Sequence, residues 1–369
     1  MIYLDYSATT PIDPRVAKRW LEVETHQFAN ANSTHALGQQ SKAINDDSVR
    51  QIATFFNVPI ESVIPTSSAV EANNFALKGL ALRYPKKRHV IVSALEHASL
   101  IGAASYLAGQ DVEVDTIPLT SEGLYDVEAL ETIIRPDTLV VSLTAVDSET
   151  GSRQPIEACA LRCRSKGVFF HTDLTQLVGK GSFDLTNVDL ATASAHKVYG
   201  PKGIGVLIKQ PIVNLVPLLH GGHSVTPWRA STPPNGLLAA FAEALRLAQV
   251  EADERLAIVQ ARHDQLVCGL NAVSKVTINQ AANALPHFVN FSIVGTHPEE
   301  GLRYFSDHGL CFSSKSACSG QEEKSVSVYA ITGSEALATS SYRVGISHLT
   351  TEAEINTFLS VLRDYVRNL

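Results

Sequence analysis

The sequence is poor in cysteine and contains no long apolar run. Five cysteines in 369 residues leave at least one without an intramolecular partner, which argues against a disulfide scaffold. No apolar stretch approaches 18 residues, so no membrane span is expected. The first strand-like stretch, residues 2–6, contains Asp5 and lacks the basic and apolar regions of a secretory signal. We therefore expect a cytoplasmic protein with free thiols.

Charged residues are also scarce, and their balance is slightly acidic. They make up 18% of the chain against 45% hydrophobic residues, whereas a disordered chain would be richer in charge and poorer in apolar residues. The net charge of −7 argues against direct nucleic-acid binding, which usually requires a basic face. At roughly 150 residues per domain, the length predicts two domains with a large buried core.

Short β-branched segments alternate with amphipathic segments from about residue 60 onward, a pattern typical of a mostly parallel sheet covered by helices. The first fifty residues are predicted to form an N-terminal arm with a helix over 13–26. A long helix over 237–273 is predicted to lead to a smaller α+β unit. The other predicted strands are 89–93, 112–117, 139–144, 168–172, 190–194, 205–208, 276–278, 288–291 and 342–346; the other predicted helices are 71–83, 100–107, 126–134, 156–165, 298–308 and 352–367.

One lysine, Lys197, follows a predicted strand in a turn rich in glycine and proline. Ser194 and His196 flank it two positions apart, so an extended backbone would point both side chains the same way. Ligands of parallel sheets bind at the carboxyl ends of the strands, where this turn lies. A lone lysine there is usually solvated, but this one is accompanied by two potential phosphate donors.

Two further polar clusters follow predicted strands. Asp173 needs a cationic partner to stay ionised where burial disfavours its charge, and a protonated pyridine nitrogen would serve; alternatively it caps the next helix. His97 could stack on a flat ring or be an ordinary hydrogen-bonded histidine.

Residues 66–71 precede a helix whose first N–H groups could bind an anion, with Ser68 adding a hydroxyl. Ser67 or Ser68 could instead cap that helix, with Glu71 closing a capping box.

Near the C-terminus, Cys318 lies among small hydroxylated residues beside Lys315, which would favour the reactive thiolate. The other four cysteines have apolar neighbours and are predicted to be inert thiols in or near the core. Arg343 lies in an apolar strand, where it is expected to face an anion such as a substrate carboxylate.

Together these segments resemble the NifS-like cysteine desulfurases, which are pyridoxal 5′-phosphate (PLP) enzymes of the class-V aminotransferase family with fold type I. The resemblance runs from residue 3 to the C-terminal helix, and its Ser-Ala-His-Lys and Ser-Ala-Cys elements are specific in combination. The matching segments are Leu4-Asp5…Ala8-Thr9-Thr10, Thr66-Ser67-x-Ala69-x-Glu71-x-Asn73-Asn74, Glu96-His97, Glu149-Thr150-Gly151-x-x-Gln154-Pro155-Ile156, His171-Thr172-Asp173-x-x-Gln176, Ser194-Ala195-His196-Lys197 and Ser316-Ala317-Cys318.

The resemblance implies an α/β fold with a mostly parallel seven-stranded sheet in a large domain and a smaller α+β C-terminal domain. Residues 1–15 would form an arm joining the small domain, residues 16–250 the PLP-binding domain, and residues 251–369 the domain carrying the cysteine loop. The implied activity is removal of sulfur from L-cysteine, which gives L-alanine and a persulfide on Cys318. The implied partners are a second copy of the chain and a sulfur acceptor, either an iron–sulfur scaffold or a tRNA-thiolation enzyme.

The resemblance also assigns roles to residues. Lys197 would form the Schiff base with PLP, Asp173 would pair with the pyridine nitrogen, His97 would stack on the ring and Gln176 would bond the ring hydroxyl. The phosphate would be held by Ser68, Ala69, Val70, Ser194 and His196, with Thr232 reaching over from the neighbouring subunit. The substrate would be bound by Arg343, Ser148 and Asn32. No metal ligands are expected.

Several positions depart from the family pattern. Val70 replaces a threonine, Ser148 an asparagine and Lys315 a glycine, while Ser68 adds a hydroxyl where the family has glycine; a Gly-Gly-Gly-Gln-Glu stretch is replaced at 221–225. These changes leave two alternatives open. One is a related lyase or transaminase, such as one acting on selenocysteine, with Cys318 incidental. The other is a catalytically weakened relative that binds a partner.

Overall fold

The computed structural model describes residues 1–222, 224–314 and 324–369. In these ranges the strands are β1 Ile2–Tyr3, β2 Val63–Thr66, β3 His89–Val92, β4 Glu113–Thr116, β5 Thr138–Thr144, β6 Phe169–Asp173, β7 Leu190–Ser194, β8 Gly205–Lys209, β9 Val276–Ile278, β10 Phe288–Ile293, β11 Leu310–Cys311 and β12 Ser341–Gly345. The helices are α1 Pro14–His26, α2 Ala36–Phe56, α3 Ala69–Arg83, α4 Ala98–Ala108, α5 Val127–Ile133, α6 Ile156–Ser165, α7 Asn235–Val250, α8 Ala252–Asn271, α9 Pro298–Asp307, α10 Val326–Thr332, α11 Glu335–Thr339 and α12 Glu352–Arg367.

A seven-stranded sheet forms the centre of the larger part of the molecule. Its strand order is β2-β8-β7-β6-β5-β3-β4, and only β8 runs antiparallel to its neighbours β7 and β2. Strand β5 is buried along its whole length, as expected for a strand covered on both faces. Apolar side chains pack on both sides of the sheet in two separate clusters. The predicted mostly parallel seven-stranded sheet is therefore confirmed; strand β2 was not among the predicted strands.

The N-terminal region is more regular than the sequence predicted. Helix α1 matches the predicted helix, but residues 36–56 form a further helix, α2, and not an arm. Its buried apolar side chains, among them Val49, Ile52 and Phe56, all lie in the C-terminal half. In the N-terminal half the buried side chains are polar. One of them, Asn45, donates a hydrogen bond from Nδ2 to Oδ1 of Asn235 on α7. This polar buried half hid the helical periodicity.

The predicted long helix over 237–273 is wrong, because two helices, α7 and α8, meet at Glu251. The backbone angles of Glu251 are not helical, and its carboxylate accepts hydrogen bonds from Arg15 and Arg255. Asp253 and Glu254 then lie in the first turn of α8, where acidic side chains complement the helix dipole. The break lies at the predicted domain boundary, but the boundaries themselves stay a prediction.

A second sheet of three antiparallel strands, in the order β9-β10-β12, belongs to the C-terminal third of the chain. Its core is aromatic, with Phe291 stacked against Tyr342 and close to Phe358. Strand β1 pairs in parallel with β11, so residues 2 and 3 extend the C-terminal third of the chain by one strand; the assignment of residues 1–15 to the small domain stays a prediction. In the described part of the chain, every helix is too short or too polar to cross a membrane.

Candidate active site

A cavity of about 260 Å³ opens at the carboxyl ends of β5, β6 and β7, beside the N-terminus of α3. Most of the predicted site residues line it. They come from segments far apart in the sequence, as expected for a crevice at the ends of parallel strands. The predicted residues among its walls are Ser68, Ala69, Val70, His97, Ser148, Asp173, Gln176, Ser194, His196, Lys197 and Arg343.

Three predicted site residues are not part of this cavity wall. Asn32 and Thr232 are exposed and lie outside the lining. Cys318 lies outside the described residues, together with Lys315 and His223. The roles of Asn32, Thr232 and Cys318 stay predictions. The predicted role of Thr232 is a contact with the neighbouring subunit.

Lys197 ends a 3-10 turn, Ala195–Lys197, that follows directly on β7. Its Nζ donates to the backbone carbonyl oxygens of Ser7, at 2.5 Å, and Ala8, at 2.7 Å. The sequence did not predict Ser7 or Ala8 in the site, although Ala8 belongs to the N-terminal motif. His196 lies in the turn as well, so the prediction that Ser194 and His196 project from one extended segment is wrong.

Asp173 is the last residue of β6, and its carboxylate accepts two hydrogen bonds. Oδ1 accepts the backbone N–H of Thr175 at 2.9 Å, so Asp173 does cap the following turn. Oδ2 accepts from Asn73 Nδ2 at 2.8 Å. Asn73 is buried on α3, and the sequence motif contained it without assigning it a contact. Capping leaves the carboxylate in the cavity wall, so both of the sequence interpretations of Asp173 are compatible with the structure.

The N-terminus of α3 forms one end of the cavity. Ser68 caps it by accepting the Glu71 N–H, while Glu71 accepts from the Ser67 N–H and pairs with Arg229. The capping box is thus shifted by one residue from its usual form. Strand β8 passes close behind, because a Cβ on Gly205 would lie 2.8 Å from the carbonyl carbon of Ser68. Glycine at this position lets the helix N-terminus approach the sheet.

The field at this end is positive. Burial, together with the nearby charges of Lys197 and Lys202, lowers the pKa of His196 to about 4. Helix N-terminal N–H groups favour anions for the same electrostatic reason. Ser194, which begins the 3-10 turn, makes no side-chain cap hydrogen bond. An anion of phosphate size therefore meets N–H groups, a hydroxyl and nearby cations.

Arg343 on β12 is buried and already faces an anion of the chain itself. Its Nη2 donates to Asp5 Oδ1 at 2.9 Å, and its Nη1 donates to the backbone oxygen of Ser148 at 3.0 Å. Its Nε has no hydrogen-bond partner in the part of the chain that the structure describes. Asp5 Oδ2 accepts from Ser313 Oγ at 2.8 Å. The sequence predicted the need for an anion, but not that Asp5 would supply one.

The remaining cysteines differ from one another. Cys159 and Cys163 are buried, and burial raises the pKa of the Cys159 thiol to about 12. Cys311 is half-buried. Cys268 is exposed, so its prediction as a thiol in or near the core is wrong: its position on α8 faces solvent although its sequence neighbours are apolar.

Gln176 has its side-chain amide held on both sides. Its Nε2 donates to the Ser7 carbonyl oxygen, and its Oε1 accepts from Lys180 Nζ, both at 3.0 Å. Burial, with Lys197 and Arg343 nearby, lowers the pKa of Lys180 to about 7. Sequence reasoning missed Lys180, which follows Gln176 by four positions in the same turn region.

The residues present fit PLP. The cavity has an amine at Lys197, a carboxylate at Asp173, an imidazole at His97 and an anion-favouring helix N-terminus. Two buried hydroxyls of its wall, on Ser7 and Thr175, lack hydrogen-bond partners in the described ranges, as expected where a polar ligand belongs. Within those ranges no group of three His, Cys, Asp or Glu side chains could hold a metal.

Comparison with known proteins agrees with this geometry. A family model described as "Aminotransferase class-V" matches residues 2–358. The chain belongs to the class-V aminotransferase family. The chain is 38% identical to the mitochondrial cysteine desulfurase of Saccharomyces cerevisiae, covering 100% of this chain and 75% of the relative. It is 36% identical to the cysteine desulfurase IscS of Serratia proteamaculans, covering 100% and 93%.

Solved structures show the same fold. A NifS-like protein superposes with a TM-score of 0.93 at 27% identity, and the match covers 100% of both chains. The predicted family, fold, enzyme class and PLP dependence are therefore confirmed.

Proposed function

We propose that this chain removes sulfur from L-cysteine, releasing L-alanine and keeping the sulfur as a persulfide on Cys318. One observation carries the proposal: Lys197, Asp173, His97 and Arg343 converge on one cavity with a helix N-terminus. The enzymes most similar to it are described as cysteine desulfurases. In the proposed step the Cβ–S bond of the substrate breaks and an S–S bond to Cys318 forms.

PLP, when bound, supplies an electron sink for breaking bonds at the substrate carbon atoms. The chain supplies orientation and charge around it. Lys197 Nζ is held between two backbone carbonyl oxygens, which keeps the amine inside the cavity. Asp173, fixed by two donors, presents negative charge where a protonated ring nitrogen would need it. Gln176 is oriented from both sides to bond a ring hydroxyl.

The phosphate would lie at the α3 N-terminus, against the amides of residues 68–70 and the side chains of Ser194 and His196. Val70 lacks the hydroxyl that the family supplies there, and Ser68 has one of its own. Thr232 would complete the group from a second copy of the chain. Its exposed position in a single chain is compatible with such a contact. We therefore propose a homodimer with two equivalent sites.

Substrate binding would use Arg343 for the carboxylate, with Ser148 and Asn32 nearby. Cys318 would attack as a thiolate, which Lys315 favours through its positive charge. Both described flanks of this segment are tied to the site: Ser313 bonds Asp5, and Ser325 bonds Glu149 at 2.5 Å. A persulfide can be passed on to an acceptor, either an iron–sulfur scaffold or a tRNA-thiolation enzyme. A cytoplasmic location stays a prediction, since the yeast relative is described as mitochondrial.

The decisive experiment mixes the protein with PLP and L-cysteine and measures alanine, sulfide and protein-bound sulfur. Wild type should release alanine and gain sulfur on the Cys318 peptide. Cys318→Ala should lose both, whereas Cys268→Ala, which removes an exposed thiol on α8, should behave as wild type. Lys197→Ala should not retain a borohydride-reducible linkage to PLP. Full activity of Cys318→Ala on cysteine would refute the proposal, and activity restricted to selenocysteine would favour the related lyase.

The dimer is tested separately by light scattering of the PLP-loaded protein. A stable monomer with full activity would contradict the proposed intersubunit role of Thr232. In a dimer, Thr232→Ala should weaken PLP binding, while Ser231→Ala, its exposed neighbour, should leave it unchanged.

A further inference from the structure

A chain of hydrogen bonds joins the two side chains expected to contact the cofactor ring. Buried Asn73 donates from Nδ2 to Asp173 Oδ2 at 2.8 Å and to Ser99 Oγ at 3.0 Å. Ser99 Oγ lies 2.8 Å from His97 Nδ1. The backbone N–H of Ser99 donates to the same Nδ1 at 3.1 Å, which makes His97 the N-cap of α4.

The direction of every hydrogen bond in this chain is determined. A carboxylate oxygen only accepts, so the NH₂ group of Asn73 must face Asp173, and its two hydrogens go to Asp173 and Ser99. Ser99 Oγ accepts from Asn73, so its own hydrogen is free to point at His97 Nδ1. A backbone N–H only donates, which independently makes Nδ1 an acceptor. A neutral imidazole that accepts at Nδ1 carries its hydrogen on Nε2.

The surroundings also favour the neutral imidazole. Burial lowers the pKa of His97, and the charge of Lys197 acts in the same direction, while Asp173 acts in the opposite one. The position of His97 at the N-terminus of α4 further disfavours a cation, because the helix dipole is positive there. Asn73 Oδ1 has no partner within the described ranges. A flipped amide would place this oxygen against the Asp173 carboxylate, which is repulsive.

We propose that Asn73 and Ser99 are positioning residues that fix His97 as the neutral imidazole with its hydrogen on Nε2. His97 then faces the cavity as a hydrogen-bond donor and cannot accept a proton at Nε2. The part that His97 plays in turnover rests on the proposed desulfurase function, whereas the position of its hydrogen rests on these contacts alone. Accepting a proton would require Nδ1 and would cost the hydrogen bonds with Ser99.

The test is nuclear magnetic resonance of the full chain labelled with ¹⁵N-histidine, with and without PLP. The His97 signal is assigned by its loss in His97→Gln, and its nitrogen shifts report which atom carries hydrogen. Wild type should show hydrogen on Nε2 at neutral pH. Ser99→Ala removes one donor to Nδ1, and Asn73→Ala lets the Ser99 hydroxyl reverse. Each should raise the ratio of Nδ1–H to Nε2–H forms about five- to tenfold, the effect of one hydrogen bond of about 1–1.4 kcal/mol.

Matched controls are Ser105→Ala, an exposed serine on α4, and Asn74→Ala, the half-buried neighbour of Asn73; neither should move the His97 signal. If Asn73→Ala does not fold, Ser99→Ala alone decides. Hydrogen on Nδ1 in wild type, or an unchanged His97 signal in a folded Ser99→Ala, would overturn the proposal. A wild type with the expected signal that releases no alanine from cysteine would support this assignment and refute the proposed function.

Discussion

Replacing Asp5 by asparagine tests whether the anion bound to Arg343 competes with the substrate carboxylate. The guanidinium is 1% exposed and Asp5 18% exposed, and their bond of 2.9 Å is the ion pair that the structure gives Arg343 in the described ranges. Asparagine keeps the shape and an oxygen that can accept from Nη2, but it loses the charge. The adjacent bond to Ser313 can persist with its direction reversed, because an amide NH₂ can donate to the hydroxyl.

Two effects of opposite sign are expected. Removing one partner of a buried ion pair costs about 3–5 kcal/mol of stability when no acceptor remains, so we expect about 2 kcal/mol for the asparagine, which retains one. Substrate binding should improve, because two carboxylates sharing one guanidinium repel each other. If the repulsion is worth about 1.4 kcal/mol, the Michaelis constant for L-cysteine should fall about tenfold.

The assay combines urea unfolding with steady-state alanine release on PLP-loaded protein. Asp115→Asn is the matched control, since Asp115 also pairs with a buried base, His89, but lies on the distant strand β4. It should not change the Michaelis constant. A folded Asp5→Asn with a higher Michaelis constant would refute the reasoning. That result would mean that Asp5 orients Arg343 for the substrate and does not compete with it.

Three further outcomes are expected. Val70→Thr should restore a hydroxyl near the phosphate and tighten PLP about tenfold, given about 1.5 kcal/mol for a hydrogen bond to a charged group; unchanged affinity in a PLP titration would show that Ser68 already compensates. Ser148→Asn should lower the Michaelis constant for cysteine, measured by steady-state kinetics, unless the Ser148 backbone contact to Arg343 is its whole contribution. Burial lowers the pKa of His287 from 6.5 to about 3. Between pH 6.5 and about 3, the unfolded chain therefore binds a proton at this histidine that the folded chain does not, so the free energy of unfolding should fall as pH falls. His287→Gln should remove up to about 1.4 kcal/mol per pH unit of that slope in urea unfolding at pH 5–6.5, whereas His308→Gln, at an exposed histidine, should leave it unchanged.

Most strands of the sheet were predictable from the sequence because they are buried and appear as short apolar runs, although β4 is partly exposed and buried β2 was missed. The same holds for three site residues: Asp173 ends such a run, and Lys197 and His97 lie in the turns that follow two others. Helix α2 was not predictable in this way, because half of its buried face is polar. At the break, Glu251 bonds Arg15, which is 236 positions away in the sequence. A local pattern contains no information about such a partner.

Contacts across long sequence distances also explain what was missed in the site. The carbonyl oxygens that hold Lys197 come from residues 7 and 8, and backbone groups leave no compositional signal. Asp5 was part of the N-terminal motif, but nothing in that motif indicates Arg343. Asn73 and Ser99 lie near predicted site residues, yet their hydrogen bonds depend on how α3 and α4 pack. Residue type was predictable here, whereas the bonding partner was not.

The pairing of β1 with β11 has a consequence for biosynthesis. Ile2 lies opposite Leu310, so β1 has no pairing partner until a further 308 residues have been synthesised. At about 5–20 residues per second that delay is roughly 15–60 s. The phosphate end of the cavity is built from residues 68–205 and is synthesised well before Arg343, which bonds Asp5 beside the first strand. A growing chain thus contains the residues for binding the cofactor phosphate before those for gripping a substrate carboxylate.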